Sequence, residues 1–212
     1  MSDYFENFKD ALPDIKKVKQ LKKQLEKKGV KYIYSNWIDF LGSPKTKPMP
    51  ISDFEDLCMG KGPQFAVHSV SFVPELTPAD NDQIPLPDLD SLVICPWDKT
   101  CAWVFADLYW NDKPYDVCPR MTLKRQIKKC AKSDLKFFVG IEPEFFLMKW
   151  DGDKPVKAID RDPIPLRRQA FGYDSEYSID GMNFLKEIID ILNNDLKWDI
   201  HDVVAEGAYG QY

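Results

Sequence analysis

Two glutamates, Glu142 and Glu144, stand two positions apart in the apolar run Phe137-Phe138-Val139-Gly140-Ile141-Glu142-Pro143-Glu144-Phe145-Phe146-Leu147-Met148. In an extended strand alternate residues share a face. Both carboxylates then lie on the face that also carries Phe138, Phe146 and Met148. Like charges in apolar company must either raise a pKa or find a cation. A divalent metal is the economical cation. Closely spaced carboxylates are hard oxygen ligands of the kind Mg²⁺ and Mn²⁺ take, and they leave positions for phosphate oxygens. A solvated sheet face explains the same pair without chemistry, and periodicity leaves both readings open. Pro143 between the two fits an edge strand or a bulge. Glu206 is a third acid, ending a stretch with Ile200, Val203, Val204 and Ala205 and preceding a glycine-containing loop. The two histidines, His68 and His201, read as structural, and the five cysteines (Cys58, Cys95, Cys101, Cys118, Cys130) form no CxxC pair. A zinc site is therefore not indicated.

The chain around these residues has 212 positions, 44% of them hydrophobic and 13% aromatic. That is enough to bury a sizeable core without disulfide or metal staples, and it excludes a disordered chain. The formal charge of −5, from 29 basic and 34 acidic residues, argues against nucleic acid as a partner, since phosphate neutralisation needs a basic surplus. No apolar run reaches the roughly 18 residues of a membrane span, and residues 1–10 lack the pattern of a secretory signal. The cysteines read as reduced, mostly buried thiols of a cytoplasmic protein.

The elements that must position the acids follow from periodicity and turn chemistry. Pro13-Asp14 opens a helix with Ile15, Val18, Leu21 and Leu25 at helical spacing, and Gly29 ends it. Its many lysines read as a solvated face. Residues 30–40 form a strand, residues 41–44 a turn, and residues 45–50 a possible hairpin partner. Ser52 or Asp53 caps a short helix through Cys58. Residues 65–72, 91–96 and 102–110 are expected as strands, with 76–90 a long surface loop. Residues 111–120 look like a boundary, and 121–131 are helical. Residues 135–150 are the longest strand-like run, followed by a turn at 150–153. Residues 154–177 read as a loop, 179–192 as a helix and 198–206 as a final strand. No internal repeat is present.

At the acidic segments a family resemblance emerges. Gly140-Ile141-Glu142-Pro143-Glu144-Phe145-Phe146-Leu147 resembles the G-x-E-x-E-F-x-L strand of the glutamine synthetase family. Ala205-Glu206-Gly207-Ala208-Tyr209-Gly210-Gln211 resembles its H-E-x-A-x-x-G-Q segment. Residues 30–50, with Trp37-Ile38-Asp39-Phe40-Leu41-Gly42 and Lys45, are similar to the opening strand pair of that family's β-grasp domain. Pro87-Asp88-Leu89-Asp90-Ser91 resembles its P-D-x-x-S/T loop, and Cys118-Pro119-Arg120 its D-P-R-type link into the catalytic domain.

The resemblance implies an α+β fold, with a β-grasp-like domain at 1–115 and the first part of a catalytic domain at 116–212. It implies an ATP-dependent ligase that phosphorylates the γ-carboxylate of glutamate and lets an amine or ammonia displace the phosphate, with ATP and Mg²⁺ or Mn²⁺ as cofactors. Glu144 and Glu206 match metal ligands on the glutamate side, and Glu142 one on the ATP side. A further ligand would fall just beyond Tyr212, so the chain is expected to be the N-terminal part of something longer and inactive alone. A ring-shaped, dodecamer-like homo-oligomer is implied. Two departures stand out. Ammonia-using members carry F-D-G-S-S where this chain has Phe65-Ala66-Val67-His68-Ser69, so Ala66 replaces the acid that holds ammonium. Charge-assisted hydrogen bonding to NH₄⁺ is lost there, which fits the branch that ligates glutamate to methylamine or arylamines. Ala205 also stands where a histidine is usual, and Tyr173 falls near the family's ammonium-site tyrosine. The alternatives are glutamine synthetase itself, or a non-enzymatic relative, against which the retained glutamates speak.

Overall fold

The computed structural model of the chain describes residues 3–71, 75–158, 172–208 and 210–212. It divides into two compact units, Met1–Phe138 and Val139–Tyr212.

The first unit holds a mixed sheet. Its elements in chain order are α1 (Phe8–Ala11), α2 (Ile15–Lys27), β1 (Tyr32–Ile38), β2 (Pro44–Pro50), α3 (Phe54–Cys58), α4 (Val67–Ser71), β3 (Ile84–Pro87), β4 (Val93–Ile94), β5 (Cys101–Trp110), β6 (Lys113–Pro114) and α5 (Pro119–Lys132). The Asp14 side chain caps α2 by accepting from the Lys16 N–H at 2.8 Å, and Gly29 leaves the helix at φ +89°, a conformation glycine adopts without a Cβ penalty. Val18 and Leu25 face inward while Lys16, Lys17, Lys19, Lys23, Lys27 and Lys28 stay exposed, as expected of a solvated face. The β1–β2 hairpin is antiparallel, running from Tyr32 opposite Pro50 to Ile38 opposite Pro44. On its other side β1 pairs in parallel with β5, which also pairs antiparallel with β3, β4 and β6. Alternation along β1 sends Ile33 and Trp37 inward. One apolar cluster joins α2, β1 and α3 through Val18, Leu25, Ile33, Phe54 and Leu57, and a second gathers Phe8, Trp37, Leu86, Tyr109, Cys118 and Met121.

Between α5 and the sheet lies a buried ion cluster. Arg120 donates to Asp88 at 2.6 Å and to Asp107 at 3.1 Å. Lys124 donates to Asp88 at 3.3 Å and also to Asp107. Buried charges are tolerated only when paired and hydrogen-bonded, and here both acids and both bases are. The loop containing Asp88 and the link containing Arg120 are thus held together.

The second unit contains the hairpin β7 (Met148–Asp151) and β8 (Lys154–Lys157), then α6 (Ser175–Asp190), which runs on into a π-helical turn at Ile191–Asp195. Gly152 sits at φ +57° in the two-residue hairpin turn, where such a turn requires it. Tyr177, Leu185, Ala205 and Tyr212 form the small core, with Phe145, Leu147, Met182 and Val203 against it. A Cβ at Gly181 would sit 2.5 Å from the Tyr212 ring, so the close approach of α6 to residue 212 depends on glycine.

Five expectations from the sequence are corrected. Residues 65–71 do not form a strand, and residue 72 lies outside the described residues: Phe65 makes an isolated bridge to Gln83, and the chain turns into α4. The Ser69 N–H and hydroxyl both return to the Ala66 carbonyl at 3.2 and 2.9 Å, a local turn that competes with a ladder. The loop at 76–90 contains β3, with Pro85, Leu86, Pro87 and Asp88 buried. The run at 135–150 is regular only from Met148. Residues 135–144 are exposed and without regular structure, with Phe137 at 84% and Ile141 at 82% exposure. A strand apolar on both faces needs cover on both faces and a neighbour to pair with, and among the described residues it has neither. Residues 198–206 likewise have no ladder and are not a strand. The stretch 154–177 is less irregular than expected, holding β8 and the start of α6, while 159–171 lie outside the described residues.

Candidate functional site

The acidic residues sit in the second unit, and backbone pairing there brings two of the three together. Phe145 and Tyr212 exchange backbone hydrogen bonds at 2.9 and 3.0 Å, and the Leu147 N–H donates to the Gly210 carbonyl at 2.9 Å. The Glu206 N–H donates to the Gln211 carbonyl at 2.9 Å. From that position the Gln211 side-chain amide donates to the Glu144 carboxylate, Oε2, at 2.8 Å. Glu144 and Glu206 therefore flank one glutamine. Glu144 is exposed and Glu206 half-buried.

Glu142 is not drawn in. It lies on exposed chain that joins no ladder among the described residues, so the shared-face argument from strand periodicity does not apply to it. Among the described residues, no group of three or more acids, histidines or cysteines is placed to hold a metal.

Tyr173 belongs to the same patch. Its N–H donates to the Ala205 carbonyl at 2.8 Å, one residue before Glu206. Its backbone sits at φ +64° and its side chain is 81% exposed. A tyrosine in the left-handed region is uncommon and costs on the order of 1 kcal/mol or more. Here the turn delivers the chain to Asp174, whose carboxylate caps α6 by accepting from the Glu176 N–H at 3.0 Å.

Ala66 lies in the first unit. It follows Phe65, whose ring stacks on Trp37 with centroids 4.2 Å apart and planes 4° from parallel. Phe65 and Gln83 exchange backbone hydrogen bonds at 3.2 and 2.8 Å, so the residue before Ala66 is fixed on both sides. His68 follows in α4, and His201 is exposed beside Asp199 at 3.3 Å. A small pocket in this unit is lined by Trp37, Asp39, Gln83, Tyr115 and Cys118 and includes neither Ala66 nor any of the three glutamates. Burial works against the charge of Asp39, yet the Ser43 N–H, the Lys45 ammonium and the Leu41 N–H hold its carboxyl below the ordinary range.

Sequence reasoning placed Gln211 at the end of the family-like segment but missed the role of its side chain beside Glu144. It also missed the Asp88–Asp107–Arg120–Lys124 cluster. There the signals were Asp107 inside an apolar strand and Lys124 on the inner side of α5, three positions after buried Met121.

Comparison with known proteins follows the same division. Residues 116–212 match the model of the glutamine synthetase catalytic domain. The chain is 34% identical over 185 residues to a glutamine synthetase of Rhizobium meliloti (strain 1021), covering 87% of this chain and 40% of that protein. It is 27% identical over 193 residues to a glutamate–methylamine ligase of Methyloversatilis universalis, covering 89% and 41%. A solved structure of a GmaS/ADP complex superposes with a TM-score of 0.73 at 27% identity, over 90% of this chain and 42% of that one. The chain spans about two-fifths of the length of the curated relatives it matches. The structure's mixed α/β architecture agrees with these matches, and among the described residues no helix is long and apolar enough to cross a membrane. Residues 116–212 are thus similar to the glutamine synthetase catalytic domain, and the chain as a whole is similar to a fragment of glutamine synthetase-family proteins.

Proposed function

We propose that this sequence serves an ATP-dependent ligase that joins a substituted amine to the γ-carboxylate of glutamate through a γ-glutamyl phosphate. The observation that carries the choice of amine is Ala66, an uncharged side chain where ammonia-using members place an acid. A cationic ammonium gains from a carboxylate and loses it to a methyl group. An arylamine is already neutral at pH 7, and an alkylamine needs another base. The likeness to a glutamate–methylamine ligase and to GmaS supports the reading. The second reading, glutamine synthetase acting on ammonia, is favoured by the 34% identity to the Rhizobium enzyme.

In this proposal residues 1–115, inside the first unit, are a β-grasp-like domain, and residues 116–212 are the opening of the catalytic domain. Glu144 and Glu206 are the carboxylates offered to a Mg²⁺ or Mn²⁺ ion on the glutamate side, Glu142 to one on the ATP side, and Tyr173 lies at the amine site. Further ligands are needed beyond those the described residues supply. The assembly is a ring-shaped homo-oligomer in the cytoplasm.

The test uses the gene product carrying this sequence. Phosphate release from ATP and glutamate is measured with ammonia, methylamine, ethanolamine, a polyamine and aniline. The amine reading expects at least one amine to exceed ammonia in kcat/KM, and A66D to shift the ratio towards ammonia by about ten- to a hundredfold, the worth of a charged hydrogen bond. Ammonia preferred over every amine by the unaltered protein would replace it with glutamine synthetase.

A further inference from the structure

The hairpin of β4 and β5 places two cysteines opposite each other. Val93 pairs with Trp103 and Ile94 with Ala102, so the next pair in register is Cys95 with Cys101. The Cys95 N–H donates to the Cys101 carbonyl at 3.0 Å, which confirms the register one step beyond the assigned strand. The Cys101 N–H turns to the Asp98 carbonyl at 3.0 Å, so the pair closes the ladder through one bond; opposite residues of an antiparallel ladder send their side chains to the same face, with Cα atoms about 4.5–5.5 Å apart. That spacing lies inside the range a disulfide spans.

The Cys101 thiol donates to Asp98 Oδ2 at 3.3 Å and contacts the Tyr34 hydroxyl, whose own pKa is raised first by Cys101 and further by Asp98 and Cys95. The remaining cysteines are placed elsewhere. Cys58 and Cys118 sit in the two separate apolar clusters, and Cys130 lies on α5. Both thiols of the pair are reduced here and largely buried, Cys101 at 7% exposure and Cys95 at 2%.

We infer that Cys95 and Cys101 are a redox modification site, closing reversibly into a cross-strand disulfide by exchange with a low-molecular-weight disulfide. Cys101, the more exposed of the two at the mouth of the hairpin, attacks the small disulfide as thiolate. A mixed disulfide forms and one small thiol leaves. Cys95 then attacks the Cys101 sulfur, the protein disulfide forms and the second small thiol leaves. The two protons given up by the protein thiols end on the two released thiols, and the small disulfide is the species reduced. Burial, together with Cys101 and Asp98, pushes Cys95 up to about 11, so Cys95 suits the second, intramolecular step rather than the first. The bond staples β4, only two residues long, to the central strand, and it encloses the loop that carries Trp97. Because the Trp97 and Trp103 rings meet edge to face at 5.0 Å beside this loop, their fluorescence reports its closure.

The experiment incubates the native 212-residue chain with excess oxidised glutathione and counts thiols after denaturation. The count is expected to fall by two from five, with two hydrogens lost, no glutathione retained and full recovery on reduction. Trypsin cleaves after Lys99, between the two cysteines, so the disulfide appears as a joined peptide pair that reduction separates. C95S and C101S should each abolish that pair. C118S should keep it, which excludes the other cysteine on the second peptide. Five thiols remaining, a glutathione adduct that never resolves, or a link surviving in C101S would each overturn the proposal.

Discussion

Replacing Asp88 with asparagine removes one charge from a cluster that is neutral as built, two acids against two bases. The Asp88 side chain is fully buried and that of Lys124 is 2% exposed, while Arg120 is 17% exposed. Breaking a buried pair by deleting one partner costs about 3–5 kcal/mol, because the other charge stays behind uncompensated. Solvent reaching Arg120 and the surviving contacts of both bases to Asp107 reduce this to about 2–4 kcal/mol for D88N. With a urea m-value of about 2 kcal/mol/M, the unfolding midpoint should drop by about 1–2 M. The assay is urea denaturation of the whole chain followed by tryptophan fluorescence, since Trp37, Trp97, Trp103 and Trp110 all lie in the first unit. Charge balance provides the discriminating control. K124M added to D88N restores neutrality, so the double variant should recover at least about 1 kcal/mol over the sum of the single losses. A D88N shift below about 0.3 M, or strict additivity in the double variant, would refute the idea that α5 is held to the sheet by a coupled ion cluster.

A Cβ at Gly62 would lie 2.6 Å from Leu57 Cα and 2.8 Å from Leu57 N. Backbone cannot yield as a side chain can, so G62A should cost about 1–3 kcal/mol in thermal or urea unfolding. G140A, with nothing within 4 Å, should stay within about 0.5 kcal/mol. Asp39 is depressed below its ordinary 3.8 in the folded chain, so its contribution is fully present above that pH and lost as pH falls through the folded value. The melting-temperature gap between the unaltered chain and D39N should therefore be constant near neutrality and shrink on acidification below about pH 4. Because the described acids do not gather into a three-ligand site, the chain alone should show no stoichiometric Mn²⁺ site tighter than the millimolar range by water-proton relaxation, and no phosphate release from ATP and glutamate.

Local signals carried most of the first unit. Asp14, Gly29 and the Leu41-Gly42-Ser43-Pro44 turn mark boundaries by backbone chemistry that acts within a few residues, and α2 and the β1–β2 hairpin appear where those signals put them. Prolines misled at β3. Pro85 and Pro87 suggested a surface loop, but β3 pairs on one side with β5 at the end of the ordered sheet, where a missing N–H is tolerated. At the site, the glutamates were legible as residue types, while their grouping was not. Periodicity can state which residues would share a face, but it cannot supply the neighbouring strand that makes the face exist. Glu144 and Glu206 are joined through Gln211 by pairing between segments more than sixty positions apart, a contact that no local pattern encodes.

The exposed stretch Phe137-Phe138-Val139-Gly140-Ile141 has a consequence for handling the molecule. An uncharged, aromatic and β-branched segment with unpaired backbone is the kind that templates cross-β stacking between chains. It is bounded by Lys136 on one side and by Glu142 on the other, the positions at which charged gatekeepers interrupt such growth. Glu142 thus carries a colloidal role independent of any ligand. Neutralising it to probe metal binding also removes one of the two charges that keep neighbouring copies from zipping together.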